Sequence, residues 1–186
     1  LWCHGIINRF GHKVRLTHFG NYLVIGAPGV HDSTLNSTNT YTTIGGTTGI
    51  SFTTSNQGQL GHVRVYKIPD DESWGGSNFT QHGQTLQGHS VRVTNSSTAS
   101  IQPEFGTSCD IAWNGSKVVI GSPYFSTASS GTLGQVKTYI YDSDDTTQYI
   151  EAFNTIVGNR GGNKLGMNVR LDYESNRLVT GRLQMA

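Results

Sequence analysis

The chain has 186 residues, enough for one domain with a core of its own. Charged residues make up 13% of it, about half the usual share, and the net charge is +1, which gives a nucleic-acid partner no electrostatic footing. Gly, Ser, Thr and Asn are abundant and no apolar run approaches the ~20 residues of a membrane-spanning helix, so neither membrane insertion nor disorder is expected.

The first predicted element follows Phe10-Gly11. Lys13-Val14-Arg15-Leu16 alternates polar and apolar residues with period two, the pattern of a strand with one buried face. After a turn at residues 18–21, Tyr22-Leu23-Val24-Ile25 is continuously apolar and predicts a strand covered on both faces. It stops at Gly26-Ala27-Pro28, where proline ends ladder pairing. A long segment carrying Tyr41 and Phe52 leads to a third strand, Gly61-His62-Val63-Arg64-Val65-Tyr66. An acidic turn at Asp70-Asp71-Glu72 precedes a weaker fourth strand ending at Thr85-Leu86-Gln87-Gly88.

The series then begins again. Phe105-Gly106 leads into Ser108-Cys109-Asp110-Ile111, and Asn114-Gly115 is a hairpin signal because both residues tolerate positive φ. Lys117-Val118-Val119-Ile120 runs into Gly121-Ser122-Pro123, with Tyr124-Phe125 just beyond. Gly134-Gln135-Val136-Lys137-Thr138-Tyr139, the turn Asp142-Ser143-Asp144-Asp145, and Thr155-Ile156-Val157-Gly158 complete a second unit. A third opens with Leu165-Gly166, Asn168-Val169-Arg170-Leu171 and Arg177-Leu178-Val179-Thr180, and reaches Gly181. Sixteen residues separate Phe10 from Gly26, Phe105 from Gly121, and Leu165 from Gly181. Helical periodicity is absent, so this internal repeat fixes the expected architecture.

That architecture is all-β: part of one β-propeller over residues 1–186, made of four-stranded antiparallel blades. One blade is expected at 10–88, a second at 105–158 with an insertion at 89–104 before it, and an incomplete one at 165–186. The chain does not begin with Met and stops inside the third unit, so it is expected to be a piece of a longer polypeptide. Blades without neighbours expose apolar faces, which predicts stability only within such a polypeptide or an assembly. The first unit is longer than the second between its second and third strands (residues 26–61 against 121–134). In an up-and-down meander this growth and the 89–104 insertion decorate one rim. Tyr41, Phe52, Pro103, Tyr124 and Phe125 are the candidate partner-binding residues of that rim. The competing reading is tolerated loop growth, with Phe52 as the loop's own small core. Trp74 and Trp113 are read as packing between blades.

The Phe-Gly, Gly-Ala-Pro and Gly-Ser-Pro signatures, with the Gly-x-Val-Arg-Val-Tyr third strand, resemble the FG-GAP repeat family. The resemblance covers nearly the whole chain from about Gly5, although the third unit departs from it with Leu165 for Phe and Arg182-Leu183 for Ala-Pro. It implies a propeller of about seven blades, as in integrin α-subunit heads. Integrin-type repeats carry an Asp-rich calcium loop between the first two strands. Residues 17–21, 113–116 and 172–176 hold no Asp-x-Asp-x-Asp, so this chain looks like the calcium-loop-free variety.

No reaction is expected from the chain. His4, His12, His18, His31, His62, His82 and His89 show no ligand spacing with Cys or acidic residues, and His12 and His62 are read as solvated strand positions. The two acidic turns are read as solvated, no Gly-x-Ser-x-Gly elbow occurs, and neither metal nor cofactor is expected. Cys109 is read as a buried free thiol acting as a small apolar residue, with a disulfide to Cys3 as the alternative. Asn36, Asn78, Asn95 and Asn114 head Asn-x-Ser/Thr sequons, which permit glycosylation but also arise by chance in a chain so rich in these residues. The functional expectation is a non-catalytic structural or protein-interaction module, such as an adhesion protein, at an extracellular or cell surface or in a virion. Its partners would be other protein subunits or surface proteins. The alternatives are a glycan-binding lectin with a pocket in each blade, and a propeller enzyme whose catalytic groups lie outside this segment.

Overall fold

The computed structural model describes residues 9–29, 61–69, 79–88, 103–127, 130–152 and 155–181. They form only antiparallel sheets, with no helix among them. The first sheet runs β1 (Lys13–Leu16), β2 (Tyr22–Ala27), β3 (His62–Lys67), then β4 (Thr80–Gln81) and β5 (Leu86–Gln87), which both pair with β3. The second runs β6 (Ser108–Ile111), β7 (Lys117–Ser122) and β10 (Gln135–Asp142), with β11 (Gln148–Glu151) and β12 (Ile156–Val157) both pairing with β10. A small hairpin, β8 (Ser126–Thr127) with β9 (Ser130–Thr132), interrupts it, and β13 (Asn168–Leu171) pairs with β14 (Leu178–Gly181).

The fourth strand of each complete sheet is broken in two, which its sequence did not announce. Val63 pairs with Leu86 and Tyr66 with Gln81, so residues 82–85 stand opposite residues 64–65 alone. The second sheet repeats this, with residues 152–155 opposite 137–138. Among the described residues one ladder hydrogen bond continues past each break: His82 N–H to the Val65 carbonyl and Ala152 N–H to the Thr138 carbonyl, both 2.8 Å.

The sixteen-residue spacing has two physical causes. The amide after each Phe or Leu closes the first hairpin: Gly11 N–H donates to Gly26 O (3.2 Å), Gly106 to Gly121 (3.1 Å) and Gly166 to Gly181 (3.1 Å). These donors sit at φ of 92°, 92° and 91°, a region that favours glycine, after Arg9, Glu104 and Lys164 at 48°, 49° and 47°. The second cause is close approach. A Cβ on Gly26 would overlap the Gly106 carbonyl oxygen, and one on Gly121 would overlap that of Gly166. Backbone thus meets backbone where one repeat stacks on the next.

Two apolar clusters fill the stack. Val24, Val63, Val65 and Leu86 of the first sheet meet Phe105, Cys109, Ile111, Val118, Ile120, Tyr139 and Tyr149 of the second. Val119 and Val136, on the other face of the second sheet, meet Val169, Leu171 and Leu178. As expected, β7 is covered on both sides. The expectation that β1 buries Val14 and Leu16 is corrected: they are 48% and 51% exposed. Their equivalents, Cys109–Ile111 and Val169–Leu171, face the preceding sheet, and no described sheet precedes β1. His62 also departs from expectation, since it is buried, near the Phe10 ring, rather than solvated.

Polar groups lock the same interfaces. Gln84 lays its amide along the edge of β11, donating to the Tyr149 carbonyl (2.7 Å) and accepting from the Tyr149 N–H (2.8 Å). The Tyr149 hydroxyl donates to the Gly115 carbonyl (2.6 Å). Across the next interface Ser108 Oγ donates to Gly166 O (2.7 Å) and Lys117 Nζ to Ser175 O (2.6 Å). The buried Asp110 carboxylate accepts Leu171 N–H (2.9 Å) and lies 3.9 Å from the Arg170 guanidinium.

Cys109 is a free, fully buried thiol, and burial pushes it up to about 12, with Asp110 adding to the rise. Such a thiol is a poor nucleophile at neutral pH. Iodoacetamide should therefore leave Cys109 unmodified in the native protein and label it only in denaturant, as read by peptide mass mapping. Native labelling at a rate comparable to that of a free thiol would contradict the packing.

Candidate interaction site

The three hairpin turns at one end of the stack share one backbone form. Gly20 N–H bonds to Thr17 O (2.9 Å), Gly115 to Ala112 O (2.9 Å) and Ser175 to Asp172 O (3.0 Å). Gly20, Gly115 and Ser175 take positive φ of 78°, 75° and 60°. Each turn therefore displays its second residue the same way. Those residues are His18, Trp113 and Tyr173, and Phe19 follows the first of them.

The repeat stacking brings these four rings together. Trp113 and Tyr173 stack at 5.9 Å and 12°. Phe19 meets Trp113 (6.1 Å), Tyr173 (6.5 Å) and His18 (5.0 Å) edge-on, and His18 meets Tyr173 the same way (6.1 Å). Edge-to-face contacts suit the ring quadrupoles and hold the rings in place. Yet Phe19 is 61% exposed, Tyr173 54% and Trp113 39%. Trp113 does pack between repeats as expected, but at the solvent end and half uncovered. The rings thus form one largely exposed aromatic patch at this end of the stack.

The residues expected at the opposite rim fare differently. Tyr41 and Phe52 lie outside the described residues, as do Trp74, Cys3, Asn36, Asn78 and Asn95. Pro103 corrects its expectation, because its side chain is fully buried. It leads into the turn where the Thr107 N–H and hydroxyl bond back to Glu104 O (3.1 and 2.8 Å), so its place is structural. Tyr124 is half-buried beneath Lys164 Nζ, 4.8 Å from the ring centre. Phe125 is half-buried, and its carbonyl accepts Leu133 and Gly134 N–H at 2.9 Å each. Asn114 is exposed in the second turn, its Oδ1 accepting the Ser116 N–H (3.0 Å) and hydroxyl (2.6 Å).

Asp142 Oδ1 accepts Asp144 and Asp145 N–H (3.1 and 3.2 Å), capping its own turn. Among the described residues no group of three or more His, Cys, Asp or Glu is placed to hold a metal ion.

One cavity of about 360 Å³ lies between the first two sheets, lined by Gln81, His82, Tyr141 and Gln148 among others. His82 stacks on Tyr141 at 3.9 Å and lies near Tyr22 (5.1 Å) and Tyr149 (5.8 Å). Burial, with the Lys67 charge, holds its imidazole below the ordinary 6.5. The unfolded chain therefore takes up this proton first as pH falls, so folding loses stability below about 6.5 and the loss is complete below the lowered folded value. A melting-temperature series from pH 7.5 to 5 should fall less steeply in His82→Gln than in the parent, and equal slopes would exclude this group. Ala152 occupies the bulge position of His82 in the second sheet.

No protein-family model matches the chain, and no curated protein matches it.

Proposed function

We propose that the chain is a non-catalytic structural and protein-interaction module, part of a β-propeller of the FG-GAP kind, at an extracellular surface or in a virus particle. Antiparallel sheets stacked through glycines at a fixed spacing support the architectural half of this reading. One observation carries the functional half. Three equivalent turns converge to expose Phe19, Trp113 and Tyr173 in a single aromatic patch. Rigid aromatic side chains give large contact area at low entropic cost, which favours a protein partner's surface. The groups that elsewhere do chemistry are engaged in packing: the Cys109 thiol is buried, Asp110 caps β13, and the Tyr149 hydroxyl holds a turn.

The binding end is therefore the short-turn end of the sheets, opposite the rim of long connections. A photo-reactive amino acid at position 19, in the protein within its native surface or particle, tests this. Cross-links from position 19 to another polypeptide, lost on Trp113→Ala with unchanged circular dichroism, are expected. Cross-links confined to glycan, or none at all, overturn the protein-partner reading.

A further inference from the structure

We propose that the seam between the first two repeats binds an external carboxylate, held by the Arg15 guanidinium and the Ile111 N–H at the free edge of β6. The second seam shows the same arrangement complete, because there the chain supplies the carboxylate itself.

At the second seam the donor is Leu171. Asp172 N–H bonds to the Arg177 carbonyl, so in an antiparallel ladder the Leu171 N–H points away from β14, off the free edge of β13. Asp110 reaches across from β6 to meet it. Its Oδ2 accepts this N–H at 2.9 Å and lies 3.9 Å from Arg170. Asp110 pairs with Val119, which places it on the face of the second sheet that packs against the third hairpin.

The first seam repeats the backbone and inverts the charge. Ala112 N–H bonds to the Lys117 carbonyl, so the Ile111 N–H points off the free edge of β6 in the same way. Ile111 is 7% exposed, and no described backbone group accepts its N–H. A buried N–H left without an acceptor costs free energy. The residue at the position of Asp110 is Arg15. Arg15 pairs with Val24, on the face packed against the second sheet, and Lys13 pairs with Gly26, which touches the Gly106 carbonyl. Burial and then Asp110 raise the Cys109 thiol, while the charges of Lys13 and Arg15 draw it back, which sets both cations beside β6. Arg15 Nε is buried and has no hydrogen-bond partner among the described residues. The neighbouring acids are engaged elsewhere, Asp110 with Leu171 and Glu104 at 3.9 Å from Arg9. Two cations and a buried N–H repel a metal ion and favour an anion. Asp110 shows which anion this edge geometry takes: a planar acceptor with two oxygens, the shape that a guanidinium fork matches.

Titration of the isotope-labelled full chain with sodium acetate, at an ionic strength held constant with sodium chloride, tests this through amide proton shifts. The Ile111 resonance should move downfield and saturate. That of Leu171, already bonded to Asp110, should stay in place. Arg15→Gln should raise the half-saturating concentration about tenfold or more, the factor expected when a charged hydrogen-bond partner is lost. Arg15→Asp installs at the first seam the residue that the second seam uses. Its Ile111 resonance should stand downfield without acetate and no longer respond to it. Arg15 is half-buried at the surface, so both variants should keep the fold, which unchanged resonances elsewhere check. Acetyl-aspartyl amide as a second probe distinguishes the source. Binding tighter than that of acetate assigns the site to an acidic side chain of another polypeptide, and binding no tighter assigns it to a small free carboxylate. An Ile111 resonance that ignores both probes overturns the proposal. So does a response undiminished in Arg15→Gln, or an Arg15→Asp variant that responds like the parent.

Discussion

Gly121→Ala should destabilise the protein by about 3 kcal/mol, lowering its melting temperature by roughly 6–12 °C. The added methyl would overlap the Gly166 carbonyl oxygen and press on Ser108 Oγ at the seam between the second and third repeats. Neither can give way cheaply. The oxygen belongs to backbone, and the Ser108 hydroxyl is buried in its hydrogen bond to that same carbonyl. Relief requires the third hairpin to move off the second sheet, which strips Val169 from Val119 and Val136 and pulls Leu171 N–H from Asp110. Gly11→Ala is the informative control. Its φ of 92° makes any side chain strained, but no described atom lies within 4 Å, so only a conformational cost of about 1 kcal/mol is expected. Urea unfolding followed by circular dichroism measures both. Equal losses would mean that close approach is not what requires glycine at the end of the second strand.

That contrast also shows which features the sequence makes legible. The strands β1, β2, β3, β6, β7, β10, β13 and β14 were readable because alternation and apolar runs report local side-chain direction. Their phase was readable because glycine is forced wherever backbone meets backbone. Burial was not. Val14, Cys109 and Val169 occupy one position of the repeat and are 48%, 0% and 2% exposed, because burial there depends on whether another described sheet packs against that face. The split fourth strand escaped for a different reason. Its surplus residues, 82–85 and 152–155, carry no period, and among the described residues one ladder hydrogen bond continues past each break. The aromatic patch was hidden by the treatment of each turn alone. Asn114-Gly115 announced a hairpin, but His18, Trp113 and Tyr173 align only when the three turns are superposed through the repeat. His62 stands at a polar position of an alternating strand and Pro103 in a connection, and neither position reports the tertiary packing that buries both.

Phe105→Ala should cost about 3–5 kcal/mol, the range for deleting a large ring from a core that cannot collapse around the gap. Phe105 is fully buried in the cluster between the first two sheets, edge-on to Tyr139 at 6.3 Å. Its own carbonyl abuts Gly61, so its backbone is pinned from the same side that its ring fills, and relaxation into the cavity is obstructed. The ruler supplies a graded test of this account. Phe10 holds the equivalent position in the first repeat and Leu165 in the third, and both are only half-buried. If the ring's function is to seal one repeat onto the one before it, Phe10→Ala and Leu165→Ala should each cost distinctly less than Phe105→Ala. Phe105→Leu, which reproduces the third repeat's own choice, should cost about 1.5 kcal/mol or less. The four unfolding free energies, measured under one set of conditions, discriminate cleanly. Equal costs at all three positions would assign the aromatic a local role in its own turn. A cost concentrated at Phe105 would assign it to the stacking of sheets, and would mean that the outer repeats reach the same stability only when their open faces are covered.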